Sequence, residues 1–318
     1  MDSRSSSSHA SESIFVQGQS AAELLERMRR EDPHNTKLSV VTFCRAVDAL
    51  LDGGIPLGEL TEIAGPPGIG KSQMAMQLAI TVQTPAFAGL EGSCIYIDTE
   101  GSLAPERCLE MATSFYRHVV DCHNKRLASR PHSGRLPNWF TPEGLLEGIQ
   151  VMRVHDVATL DATISSLETL CQGAQRPVKM VIVDSLAFPV RAESTNDFIG
   201  RTQQLTQWAM KLSQLAQSSP RKAVVVLNQM TTTTNTDATV NKENSLVIGT
   251  SLTPALGEAW AHAVTNRVVL AEGPADSRIF RLVKSPRLPS GQAEYGVFEC
   301  GIRDVGWPSP RKRPRYSS

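Results

Sequence analysis

Residues 65–72 read Gly65-Pro66-Pro67-Gly68-Ile69-Gly70-Lys71-Ser72, and this stretch decides the fold. It has the spacing G-x-x-x-x-G-K-[ST] of a phosphate-binding loop. An apolar run, Leu60-Thr61-Glu62-Ile63-Ala64, stands before it, and a helical pattern begins near Lys71. Strand, glycine loop and helix in that order is the context the motif requires. Gly65, Gly68 and Gly70 let the backbone wrap close to an anion with its N–H groups turned inward. The helix start adds the positive end of its dipole. Lys71 is placed to reach the β- and γ-phosphates, and Ser72 to offer its hydroxyl to Mg²⁺. ATP with Mg²⁺ is therefore the expected ligand, held by residues 65–72 and the adjoining Gln73. A glycine-rich turn before a helix is the plainer reading, but it leaves the Lys-Ser pair without a reason.

Outward from the loop, strands and helices alternate. Apolar runs at 60–64, 94–98, 151–154, 180–183 and 223–227 predict buried strands. Helical patterns near 71–82, 106–120, 158–171 and 201–217 fill the gaps. The alternation predicts an α/β fold with a mostly parallel sheet and helices on both faces. Shorter runs near 267–271, 279–284 and 296–301 are expected to extend the sheet. Two segments break the rhythm, 187–200 and the threonine-rich 230–254. Loops of that length in a compact domain are usually functional or disordered.

Three strand ends carry polar groups. Met180-Val181-Ile182-Val183 ends in Asp184-Ser185, and a carboxylate there completes a phosphate-loop site by holding Mg²⁺ through water. Cys94-Ile95-Tyr96-Ile97 runs into Asp98-Thr99-Glu100. Parallel strands share one C-terminal edge, so Glu100 is expected near the nucleotide, polarising the attacking water. The plainer reading makes Asp98 and Glu100 solvated cap residues. Val224-Val225-Val226-Leu227 leads to Asn228-Gln229 at the same edge. Gln229 there is either a sensor of the γ-phosphate or an ordinary strand-end amide.

Composition narrows the classes. The 318 residues suffice for one large α/β domain with tails, and 41% are apolar. The 32 basic and 32 acidic residues cancel, so any nucleic-acid surface must be local. No apolar run approaches the roughly 20 residues that cross a bilayer, and a membrane role is not expected. The N-terminus lacks a signal-peptide pattern. The six cysteines form no C-x-x-C pair, which suits a reducing compartment and argues against zinc. Cys108, His118, Cys122 and His123 lie too irregularly for a metal cluster and suit a helix surface better. The expected layout is a disordered tail over 1–13, a linker with an N-terminal helix over 14–57, the ATPase core over 58–306 and a basic tail over 307–318. The helix rests on a capping-box pattern, Ser20-Ala21-Ala22-Glu23, followed by Leu24, Leu25 and Met28.

Further blocks then match a known family in order. They are Tyr96-Ile97-Asp98-Thr99-Glu100-Gly101-Ser102, Pro105-Glu106-Arg107, Ile182-Val183-Asp184-Ser185, Asn228-Gln229-Met230-Thr231-Thr232 and Ala255-Leu256-Gly257-Glu258-Ala259-Trp260-Ala261-His262. With the glycine loop, they resemble the ATPase core of the RecA/RadA-type recombinases over roughly residues 20–303. Val41-Thr42-Phe43-Cys44, Ala187-Phe188-Pro189-Val190-Arg191 and the basic tail look most like the C-type paralogue of the eukaryotic recombinase. The B-type paralogue is next, on Gly89-Leu90-Glu91-Gly92 and the run 60–67.

The resemblance implies roles. Arg107 is expected to pack on the adenine. Gln229 and His262 are expected to link the γ-phosphate to two DNA-facing loops, 188–200 and 230–254. Lys284, in Val283-Lys284-Ser285-Pro286, is expected to lie over a neighbouring subunit's nucleotide. Family members carry a helical N-terminal domain, and with about forty residues before the core that domain is expected to be absent. The first loop, Arg191-Ala192-Glu193-Ser194-Thr195-Asn196-Asp197, is acidic, and in the second Lys242 is set against Asp237 and Glu243. Both departures point to an accessory subunit with slow, largely regulatory hydrolysis. Its implied partners are other recombinase paralogues in a hetero-oligomer, the main recombinase, and single-stranded DNA bound weakly by the isolated chain. The alternative is an autonomous, filament-forming DNA-dependent ATPase that exchanges strands. A RecA-fold ATPase unrelated to DNA fits the block 255–262 less well. The tail Arg311-Lys312-Arg313-Pro314-Arg315 is short, basic and flanked by proline, which predicts nuclear import.

Overall fold

The structure, a computed structural model, describes residues 39–129, 135–192, 198–233 and 251–307. The chain opens with β1 (Ser39–Val40), α1 (Arg45–Leu50), β2 (Ile55–Pro56), β3 (Leu60–Gly65) and α2 (Lys71–Thr81). It continues through β4 (Ser93–Asp98), α3 (Pro105–Ser129), α4 (Pro142–Glu147), β5 (Ile149–Arg153), α5 (Val157–Gln172) and β6 (Val178–Asp184). Then come α6 (Ala187–Ala192), α7 (Phe198–Gln217), β7 (Ala223–Thr233), β8 (Ser251–Pro254) and α8 (Gly257–Ala263). The last strands are β9 (Asn266–Glu272), β10 (Arg278–Lys284), β11 (Gly291–Phe298) and β12 (Gly301–Asp304).

The large sheet runs β12-β11-β10-β9-β3-β7-β6-β4-β5, with β8 paired to β7. The block from β9 through β3, β7, β6 and β4 to β5 is parallel throughout. Its inner strands β3, β4 and β6 are buried nearly throughout because both faces are covered, whereas the edge strand β5 has no buried residue. In β7, Ala223, Val225 and Leu227 join the cluster under α2 and α3, with Met74 and Phe115. Val224 and Val226 point the other way, to Leu160 and Leu167 of α5, Trp208 and Leu212 of α7 and Trp260 of α8. Full burial of each such side chain is worth about 1.5–3 kcal/mol, so both layers contribute to holding the sheet between them.

The expected α/β fold is present, with three differences in detail. First, the run 296–301 straddles a turn: β11 ends at Phe298 and β12 begins at Gly301, whose φ of 102° places it in the left-handed region. β9 to β12 form an antiparallel extension on the parallel block. Second, α3 continues well past 120 on a polar sequence. Its added turns are held from the side, where Arg126 Nη1 donates to Phe87 O at 2.8 Å and the rings of Phe87 and His123 lie 4.9 Å apart. Third, residues 39–57 form the β1–β2 pair and α1, whose Val40, Val47 and Ile55 pack on the core. Asp304 Oδ2 accepts from Arg45 N at 3.2 Å and its Oδ1 from Ala46 N at 3.0 Å, so the last strand caps α1.

The two segments that break the rhythm are partly regular. Residues 187–192 form α6, and β7 runs past Gln229 to pair with β8, with Met230 opposite Pro254 and Thr233 opposite Ser251. The charged positions Glu193, Asp197, Asp237, Lys242 and Glu243 lie outside the described residues, as do the capping box at 20–28 and the basic tail after 307. All six cysteines are free thiols. Among the described residues, no helix is long and apolar enough to cross a membrane.

Candidate functional site

The glycine loop joins β3 to α2 at the C-terminal edge of the parallel block. Gly68 and Gly70 take φ of 75° and 104°, which side chains disfavour. Gly65 is required for a different reason. A Cβ there would lie 2.9 Å from Ile69 Cγ2 and 3.1 Å from Leu270 O. Ile69 is buried and pins the loop from beneath, while Pro67 and Gly68 face solvent. Lys71 Nζ folds back onto the loop, donating to Gly65 O at 2.9 Å and Pro66 O at 3.0 Å. An ammonium is thus held over a backbone concavity that ends in a helix N-terminus, which is an anion-binding arrangement.

The parallel register sets the acidic groups beside that loop. Gly65 lies opposite Gln229, and Asp98 opposite Asp184. Asp184 is 2% exposed. Its Oδ2 accepts from Tyr96 Oη at 2.6 Å and from Ser102 Oγ at 2.6 Å, and the Ser72 hydroxyl also bonds to it. Burial pushes its pKa up; the hydroxyls of Ser102, Tyr96 and Ser72 pull it down, and the Glu100 charge pushes it up again. A buried carboxylate linked to the first serine of α2 is an all-oxygen donor set that favours a hard cation. The described residues contain no group of three His, Cys, Asp or Glu side chains able to hold a metal alone. Mg²⁺ would therefore need phosphate oxygens to complete its shell, which is its usual habit. Cys122 Sγ lies 3.5 Å from His118 Nε2 on the exposed face of α3, away from buried Cys108.

Glu100 stands on the turn after β4. Its Oε1 accepts from Gln229 Nε2 at 2.7 Å and from the Ser185 hydroxyl. Ser185 N in turn donates to Thr99 Oγ1 at 2.9 Å. The ends of β4, β6 and β7 are thereby joined through one carboxylate. Gln229 O accepts from Ala255 N at 2.9 Å, so the same residue is tied to the segment entering α8.

Three residues implied by the resemblance take positions of their own. Arg107 is 3% exposed. Its Nε donates to Gln73 Oε1 at 2.8 Å, Nη1 to Glu110 Oε2 at 2.8 Å and Nη2 to Phe298 O at 2.6 Å. The guanidinium edge ties α2, α3 and β11 together, a task unseen in the sequence. His262 is 79% exposed on α8, with Nε2 3.6 Å from Glu258 Oε1. Lys284 Nζ donates to Ala261 O at 3.0 Å, His262 O at 3.0 Å and Val264 O at 2.7 Å. Within this chain the lysine caps the C-terminus of α8, where carbonyls and the helix dipole favour a cation. Burial, then the Arg267 charge, lower its pKa, and Glu62 opposes them.

Sequence reasoning missed Ser102, Tyr96 and Ser185. Their hydroxyls matter only through contacts between strands, and a single strand's pattern carries no trace of them. The Asp98 turn was closer to legible, since Asp followed by Gly and Ser favours backbone-to-carboxylate bonds.

Comparison with known proteins agrees with this geometry. A family model described as Rad51 matches residues 34–133 and 139–305. The "DNA repair protein RAD51 homolog 3" of Cricetulus griseus is 34% identical over 300 residues, covering 93% of this chain and 75% of the relative. The Dictyostelium discoideum protein of the same description is 36% identical over 294 residues, covering 92% and 71%. The "DNA repair protein RAD51 homolog 2" of Arabidopsis thaliana is 34% identical over 311 residues, covering 94% and 78%.

Proposed function

The chain belongs to the Rad51 family, and from that premise we propose that it is an ATP- and Mg²⁺-binding accessory subunit of homologous recombination and DNA repair. It would work in the nucleus, within a hetero-oligomer of recombinase paralogues, helping the main recombinase assemble on single-stranded DNA. The observation that carries the nucleotide-dependent part of the reading is the link from Glu100 through Gln229 to the β7–β8 ribbon. A nucleotide at the glycine loop would be felt directly at the base of the segment 230–254.

The roles follow from chemistry at named atoms. When bound, the nucleotide supplies the γ-phosphoryl group and Mg²⁺ supplies charge to offset it. Lys71 would leave the carbonyls of Gly65 and Pro66 to hold phosphate oxygens. Ser72 and Asp184 would hold the metal, which would supply positive charge there. Glu100, gripped at Oε1 by Gln229 and Ser185, orients a water with its other oxygen and takes its proton. Release of Gln229 from Glu100 is the step that would report nucleotide state to the ribbon. Hydrolysis is slow in this scheme, because the grip on Glu100 opposes its use as a base.

Lys71→Ala tests the nucleotide half of the proposal. It removes the ammonium and leaves the loop glycines in place. Calorimetric titration with ATP and Mg²⁺ is expected to show a loss of affinity of about 1.5–3 kcal/mol, the scale of a charge-assisted bond. Superimposable titrations for mutant and wild type would refute the assignment.

A further inference from the structure

Tyr96 is fully buried on β4, between β6 and the edge strand β5, where packing asks only for an aromatic ring. A phenylalanine would fill the same space without a polar atom to satisfy. The hydroxyl has a partner, Asp184 Oδ2, at 2.6 Å. In the β4–β6 register Tyr96 faces Ile182 and Asp98 faces Asp184. Tyr96 is therefore the diagonal neighbour of Asp184 on one face of the sheet, a span that an aromatic side chain can cross. Ser102 Oγ reaches the same oxygen at 2.6 Å. The serine arrives there because Asp98 shapes the turn. Asp98 Oδ1 accepts from Gly101 N at 2.8 Å and Ser102 N at 3.1 Å, and its Oδ2 from Leu103 N at 3.2 Å. Both hydroxyl bonds have the short length typical of an ionised acceptor. Because both end on Oδ2, they fix the rotation of the carboxylate about its Cβ–Cγ bond.

We propose that Tyr96 and Ser102 are positioning residues that hold the Asp184 carboxylate in the orientation a divalent ion requires. This rests on the reading of Asp184 as the metal-holding carboxylate. Neither residue touches the ion; each acts through Asp184. Outer donors of this kind change metal affinity by about 10–100-fold when removed.

The test is a Mg²⁺ titration of the full chain at fixed fluorescent ATP analogue, reading nucleotide binding and not turnover. Tyr96→Phe is expected to raise the Mg²⁺ concentration for half-saturation by about 10-fold while nucleotide binding in excess EDTA stays at the wild-type level. Ser102→Ala, at a turn where the backbone bonds to Asp98 remain, is expected to shift it in the same direction and carries the test if Tyr96→Phe does not fold. Thermal unfolding of the ligand-free variants separates a packing role, which would lower the midpoint and leave the Mg²⁺ titration unmoved. Asp184→Asn is the reference. If it shifts the titration and neither Tyr96→Phe nor Ser102→Ala does, the inference is overturned. If Asp184→Asn itself leaves the titration unchanged, the underlying metal reading falls instead.

Discussion

Glu100 is where two demands meet on one side chain. A base that activates water needs an oxygen available to that water. Glu100 has Oε1 held by Gln229 and by Ser185, which steadies the side chain. Glu100→Gln keeps the size and one carbonyl oxygen but cannot accept a proton. Nucleotide binding is expected to persist, and single-turnover hydrolysis to slow by about 10²-fold or more. Normal turnover in that mutant would make Glu100 a structural link alone. At this scale the sequence was legible where chemistry is local. The loop glycines, Lys71, Ser72, Asp184 and Glu100 occupy spacings that few other jobs require, and the structure gathers them at one sheet edge. Arg107 and Lys284 were less legible. Lys284 bonds to backbone carbonyls at least 20 residues away and Arg107 to one 191 residues away, and carbonyls leave no mark in a sequence.

The helix α8 illustrates what an element needs beyond its own residues. It spans only Gly257–Ala263, and helices that short do not persist alone. Trp260 anchors it to the core, and Lys284 from β10 caps its terminal carbonyls. Lys284→Met keeps the aliphatic stem and deletes the ammonium. Urea unfolding is expected to show a stability loss of roughly 1–2 kcal/mol, the upper range for a cation at a helix C-terminus. Hydrogen exchange in 257–263 should quicken with it. Unchanged stability and exchange would show that the three bonds contribute nothing. Any reach of Lys284 toward a neighbouring nucleotide must first break them, so a trans role and the cap are in competition. The strands were the most readable elements, because burial on both faces writes an unbroken apolar run. The antiparallel extension was harder, since β10 alternates buried and open positions and a glycine turn divides the run 296–301. The short helix α4 has a local signal in Thr141-Pro142, where Thr141 Oγ1 accepts from Gly144 N at 3.0 Å. Its six residues are too few for a periodic pattern to show.

At the scale of the whole molecule, fold and family agree while the functional reading turns on what the chain does with others. A RecA-like core can serve a filament or a small assembly, and the sheet architecture is the same in both. The sequence supplies the discriminating features: zero net charge overall and acidic residues in the first loop segment. The two loop segments hold few basic residues, so few counterions are available for release, and the accessory reading predicts that the isolated chain binds DNA weakly and loses it with salt. The direct measurement is the size and composition of the particle that the epitope-tagged chain forms in its own cells. It is purified at near-physiological salt and imaged by electron microscopy after adding ATP, Mg²⁺ and single-stranded DNA. Compact particles of uniform size, containing this chain together with other Rad51-family chains by mass spectrometry, are the expected result. Long helical filaments built from this chain alone would contradict the accessory role and establish an autonomous strand-exchange enzyme in its place.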